Sequence, residues 1–209
     1  MHPPTPMLEV DALKFAHPGL ALFDGLSARF PAGVSVVCGG DGRGKTTLLR
    51  LLAGDLPWQA GRIRLDGREV SADSPEARAR ILLAGADSGV LDQVSAREHL
   101  VVLRERWPAF DAGRCDELVQ ALALAEHLDK RLFMLSTGSR RKLGLVGAIA
   151  ACAAVTLIDD PFGALDRRSI AVVEQVLADA AWRRDRIWVV ADHAPPLRLE
   201  VAATLDLGE

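Results

Sequence analysis

The sequence predicts an α/β fold: a mostly parallel sheet with a small antiparallel β subdomain beside it and an inserted helical subdomain. Three observations predict it. Apolar runs at 34–38, 81–84, 155–159 and 187–191 are separated by helical patterns, as in the covered strands of a parallel sheet. Shorter strand signals at 8–15, 26–30 and 62–65 are bounded by Pro, Gly or Asp, which suits antiparallel pairing. Most of the stretch from 87 to 152 has helical patterning and interrupts the alternating strand order.

Each element has a local reason. The start, Met1-His2-Pro3-Pro4-Thr5-Pro6, has no apolar segment and reads as a leader rather than a signal peptide. The run 34–38 is a buried strand followed by a glycine-rich loop, and the loop opens a helix over 47–53 that Gly54 can close. Ser95, with Glu98 three residues on, forms a capping box for a helix that continues to Trp107 and stops at Pro108. Asp111 opens a second helix through Cys115 and Leu118 to Leu122, and a third begins near Ser139. Residues 143–158 carry no charge but are fewer than the ~20 that a membrane span needs, so they read as a packed helix running into a buried strand. A last strand at 204–207 ends the pattern, with no regulatory domain expected after it. The expected division is therefore an α/β core with its antiparallel part over 1–86 and 153–209, and a helical subdomain over 87–152.

Bulk properties restrict the function. A chain of 209 residues suits one α/β core with a small attached unit and is too short for two nucleotide domains. Its net charge of -3 gives no general attraction to nucleic acid or to an anionic membrane surface. Arginine-rich spots at Arg78 and Arg80, Arg140 to Lys142, Arg167-Arg168 and Arg183-Arg184 sit among acidic neighbours or on helix faces and read as solvated surface. Cys38, Cys115 and Cys152 are odd in number and widely spaced, as expected of reduced thiols in a cytosolic protein.

The run Gly39-Gly40-Asp41-Gly42-Arg43-Gly44-Lys45-Thr46 completes the pattern GxxxxGK(S/T) after a strand and before a helix. Small residues let successive backbone N–H groups turn inward around phosphate oxygens, and the helix aims its positive end at the same place. Gly39, Gly40, Asp41, Gly42, Arg43, Gly44, Lys45, Thr46 and Thr47 are the expected phosphate-binding residues. Lys45 supplies a point charge for the outer phosphates, and the Thr46 hydroxyl is a candidate Mg²⁺ ligand. Asp159, at the end of an apolar strand, is the second candidate metal ligand. Ser136 and Gly138, in Leu135-Ser136-Thr137-Gly138-Ser139, offer a hydroxyl and free N–H groups at a helix start.

Together these motifs resemble the ATP-binding cassette (ABC) ATPases, a P-loop NTPase family. In order, the chain carries the phosphate loop, a helical insert, a signature LSTGS in place of LSGGQ, a strand ending Asp159-Asp160-Pro161, a D-loop Ala164-Leu165-Asp166 and a post-strand His193. The resemblance covers essentially the whole chain. It implies binding of ATP with Mg²⁺, a head-to-tail dimer, identical or mixed, and contact of Ser136 and Gly138 with the γ-phosphate held by the opposite subunit. It further implies Asp160 on the attacking water and His193 on the γ-phosphate, with Lys45 completing the catalytic set. His17, or less favourably Phe15, would stack on adenine, and Asp166 would cross to the partner while also capping a helix.

Departures from the family pattern bear on rate. Asp160 replaces the usual Glu and is one methylene shorter, which predicts slow hydrolysis. Ala86 falls where the Q-loop glutamine belongs, with Asp87 or Gln93 as substitutes if the loop register shifts. His17 stands where the family commonly has tyrosine, and Asp41 where it often has asparagine. The implied protein is the cytosolic ATPase subunit of an ABC transporter, peripheral to the inner or plasma membrane through a separately encoded permease. The alternative is a degenerate cassette that binds ATP with little turnover; action on nucleic acid is not expected.

Overall fold

The computed structural model describes residues 6–71, 73–84, 92–193 and 199–208. It contains two sheets. The antiparallel sheet has the order β2-β1-β4-β5, with β1 Met7–His17, β2 Leu20–Pro31, β4 Ala60–Leu65 and β5 Arg68–Glu69. The second sheet is parallel throughout, in the order β6-β7-β8-β3-β9, with β3 Gly33–Cys38, β6 Ile81–Ala84, β7 Val155–Asp159, β8 Ile187–Ala191 and β9 Ala203–Asp206. Among the described residues six α-helices accompany them: α1 Lys45–Leu52, α2 Pro75–Arg78, α3 Ala96–Arg106, α4 Ala112–Ala121, α5 Thr137–Ala150 and α6 Arg167–Arg183.

Alternation along the parallel strands divides the core into two layers. Val37, Val155, Leu157, Ile187 and Val189 face a layer made of α1 and the antiparallel sheet. Val34, Ile158, Trp188 and Val190 face α3 to α6 on the other side. In register, Val34, Trp188 and Thr156 form one row across three strands, so a side chain's parity decides its layer. Helix α1 buries Leu48, Leu49, Leu51 and Leu52 completely. Each contributes roughly 1.5–3 kcal/mol of apolar transfer, which holds the loop before it against β7 and β8.

The helix starts follow the expected chemistry. The Ser95 hydroxyl accepts from Glu98 N at 3.2 Å while the Glu98 carboxylate accepts from Ser95 N at 2.6 Å, completing the capping box of α3. Asp111 caps α4 through Arg114 N at 2.8 Å, and Ser136 caps α5 through Ser139 N at 3.1 Å. Asp166 caps α6 through Ser169 N at 2.9 Å. Helices α3 to α5 follow one another between β6 and β7, and among the described helices none is long and apolar enough to cross a membrane.

The first two strands depart from the sequence expectation. Strand β2 begins at Leu20 rather than 26, because its first half pairs with the end of β1 from His17↔Leu20 to Leu13↔Leu26. Strand β1 carries a bulge between Val10 and Leu13, with Ala12 at φ 47, and this extra residue returns Leu13 and Phe15 to the buried face. Trp182, near the end of α6, is 86% exposed, whereas Trp188 in β8 is 1% exposed.

Candidate nucleotide site

Strands β3, β8 and β7 are adjacent and parallel, so their carboxyl ends place three loops along one edge of the sheet. Open α/β sheets bind ligands at this edge. A cleft of about 440 Å³ opens there, lined by His17, the loop from Asp41 to Thr47, Arg141, Asp159, Asp160 and the segment Ala191 to His193, with Leu20 and Leu22 on its rim.

The loop is shaped by Gly44, which has φ 93 and caps α1 without a side chain. The positive φ favours glycine there, and a Cβ would stand 2.6 Å from the Leu22 side chain, which would have to shift. Lys45 Nζ donates to the carbonyls of Gly39 at 2.6 Å and Gly40 at 2.9 Å, curling the cation into the loop. Gly39 and Gly40 thus belong to the site through Lys45 rather than by lining the cleft.

Thr46 Oγ1 donates to Asp159 Oδ2 at 2.5 Å. This brings together the two side-chain oxygens singled out for Mg²⁺. Among the described residues no group of three or more His, Cys, Asp or Glu could hold a metal ion alone. One hydroxyl and one carboxylate fit a cation that keeps phosphate and water as its remaining ligands, as Mg²⁺ does.

Asp160 follows β7 with φ 47, a left-handed conformation that Asp tolerates better than most residues. Its N–H donates to Ala191 O at 2.9 Å, and its Oδ1 accepts from Gly163 N at 3.0 Å. The carboxylate is therefore turned toward its own following turn. His193, past the end of β8, places Nε2 3.7 Å from Asp41 Oδ1 in a pair exposed to solvent. His17 Nε2 lies 3.4 Å from Thr47 Oγ1, and the His17 ring meets Phe15 edge to face at 4.9 Å. Phe15 itself is in the core at 7% exposure, so His17 is the ring presented to the cleft.

The signature residues lie outside this cleft. Ser136 is occupied with Ser139, and Gly138 packs so closely on the D-loop that a Cβ would stand 2.7 Å from Ala164 O. Asp166 joins the same region: Lys142 Nζ approaches it at 2.6 Å, and with the Ser169 N–H and hydroxyl this holds its carboxyl well below the usual range. Gln93 does not line the cleft; its Oε1 accepts from Arg131 at 3.2 Å. Ala86 and Asp87 lie outside the described residues.

One participant was misread in the sequence. The run from Arg140 to Lys142, expected as solvated surface, is partly buried and tethers three segments. Arg140 bonds Asp92 at 2.7 Å and Leu132 O at 2.9 Å, and Lys142 holds Asp166. Arg141 lines the cleft, donates to Asp159 O at 3.2 Å and to Asp160 O, and stands 3.4 Å from Asp160 Oδ2.

Comparison with known proteins agrees with this geometry. Residues 23–163 match the family model described as ABC transporter. The chain is 30% identical over 210 residues to the cytochrome c biogenesis ATP-binding export protein CcmA of Pseudomonas savastanoi, covering 100% of this chain and 99% of the relative. It is 34% identical over 186 residues to the taurine import ATP-binding protein TauB of Pseudomonas fluorescens, covering 85% and 68%. In fold it is similar to an ABC transporter ATP-binding protein from Pyrococcus furiosus, with TM-score 0.77 and 19% identity over 96% of this chain and 97% of the other.

Proposed function

Because the chain belongs to the ABC transporter family as an ATP-binding subunit, we propose that it hydrolyses ATP in a head-to-tail dimer and so drives a separately encoded membrane permease. The observation that carries the reading is the contact between Thr46 and Asp159, 113 residues apart in sequence and 2.5 Å apart in space, beside a lysine curled into a phosphate-shaped loop.

In this reading the loop N–H groups and Lys45 bind the β- and γ-phosphates of ATP, and adenine stacks on His17 backed by Phe15. Thr46 and Asp159 would hold Mg²⁺, whose charge offsets that of the phosphate oxygens. Asp160 orients the attacking water, and His193 donates to a γ-phosphate oxygen as charge redistributes in the transition state. Water oxygen forms the new bond to phosphorus in line with the bond that breaks to release ADP. Ser136 and Gly138 from the second copy cover the γ-phosphate, which explains why they stand apart from the cleft of their own chain. The core is assigned to 1–86 and 153–209, and the signature-bearing helical unit to 87–152. The full-length similarity to an export relative supports export, with the subunit held at the cytoplasmic face by its permease.

The position of Asp160 supports slow turnover, since one oxygen of its short carboxylate is already engaged by Gly163 N–H. A nucleotide-binding cassette with little turnover is the second reading on the same observation. Fluorescent-nucleotide titration and single-turnover hydrolysis on the wild type and Asp160→Glu test both. ATP binding, slow hydrolysis and a rise in rate of about tenfold or more in Asp160→Glu are expected. Binding without any wild-type hydrolysis would favour the second reading, and failure to bind ATP would overturn both.

A further inference from the structure

Arg141 is the one arginine that reaches from α5 into the cleft, and nothing in the phosphate or metal chemistry above uses it. Its guanidinium donates to two successive carbonyls at the end of β7, those of Asp159 and Asp160, and also faces the Asp160 carboxylate at 3.4 Å. We propose that Arg141 is a positioning residue for Asp160, fixing where that carboxylate stands relative to the γ-phosphate. The inference rests on the reading that Asp160 orients the attacking water.

The chemistry favours this assignment over a surface ion pair. Asp160 sits at φ 47, so its backbone is held in a left-handed conformation by its surroundings. Its Oδ1 is fixed by Gly163 N–H at 3.0 Å, which leaves Oδ2 to be directed by a second partner. One terminal nitrogen, Nη1, makes both carbonyl contacts and the approach to the carboxylate, so the cation is held against the main chain beside Asp160. The Arg141 side chain is 32% exposed, compared with 53% for Asp160, so the cation is the better anchored member. Asp is shorter than the usual Glu and has less reach to correct a misplacement. Its orientation therefore depends more on its anchors, and a displacement near 1 Å at a reacting centre is costly. Because Arg141 belongs to the helix capped by Ser136, the same contact ties the signature segment to the catalytic acid of its own chain.

A double-mutant cycle on the full chain tests this, using Arg141→Met, Asp160→Asn and the combined variant. Arg141→Met should lower kcat about tenfold with KM for ATP changed less than about threefold, and Arg141→Lys should recover part of that loss. In the Asp160→Asn background the same Met substitution should have less than about a twofold effect. Multiplied losses in the combined variant would overturn the proposal, as would a rise in KM at unchanged kcat, which would mark Arg141 as a nucleotide contact. Thermal unfolding of the same four chains separates this from the functional reading. If the wild type does not hydrolyse ATP, the water-orienting role fails, while non-additive melting temperatures still support the Arg141–Asp160 coupling and additive ones overturn it.

Discussion

At the scale of single residues, Asp166 shows how one side chain serves two segments. It caps α6 through Ser169 N–H and accepts from Lys142 on α5, and those partners hold its carboxyl below the ordinary range of about 4. A lowered native value means that its contribution is present at neutral pH and is lost as pH falls below about 4 toward the native value. Urea unfolding between pH 7 and pH 3 should therefore show a smaller acid-induced loss of stability in Asp166→Asn than in the wild type. A parallel loss in both chains would remove Asp166 as the cause. The carboxylate is exposed, so the difference should diminish with added salt.

Among the elements, β8 and its neighbour β3 are buried along their whole length; β8 lies between β7 and β3, and all five of its residues are buried. Trp188 fills the layer under α5 and α6, with the Arg186 guanidinium 5.2 Å from its ring centre. Trp188→Ala should destabilise the chain by roughly 3–5 kcal/mol in urea unfolding, and Trp188→Phe by less. The apolar pattern made β3, β6, β7 and β8 legible in the sequence, because strands covered on both faces leave no polar alternation to confuse the reading. Capping chemistry likewise exposed the starts of α3, α4 and α6. The first half of β2 was not legible: Leu20 to Gly25 is mostly exposed and is held by pairing with β1, which leaves little periodic signal. Lys45, Thr46 and Asp159 could be brought to the cleft from motif and strand pattern, and His17 from the family resemblance. Arg141 could not, since its carbonyl partners on β7 are backbone groups without a side-chain signature.

For the whole molecule, the decisive geometry is that each cleft lacks the signature residues of its own chain. If two chains complete each other's sites, two defective chains should repair one another in part. Lys45→Ala disables the phosphate loop, and Ser136→Arg obstructs the opposing helix start. Each alone should lose ATP hydrolysis by at least about tenfold. Mixed together, they form some dimers in which one cleft has an intact loop and an intact partner signature. Hydrolysis above the sum of the separate variants is expected on mixing. A rate no greater than that sum would argue for sites completed within one chain.

The placement of the indoles has an optical consequence. Trp58, Trp107, Trp182 and Trp188 all lie outside the cleft lining, and Trp182 is open to solvent while Trp188 is sealed in the sheet. With no tyrosine in the chain, ultraviolet emission comes almost entirely from these four rings. None of them stands where the cleft would receive a base. A change in emission on adding ATP would therefore report a rearrangement transmitted away from the nucleotide, and the wet ring on α6 is the one exposed enough to sense an approaching partner.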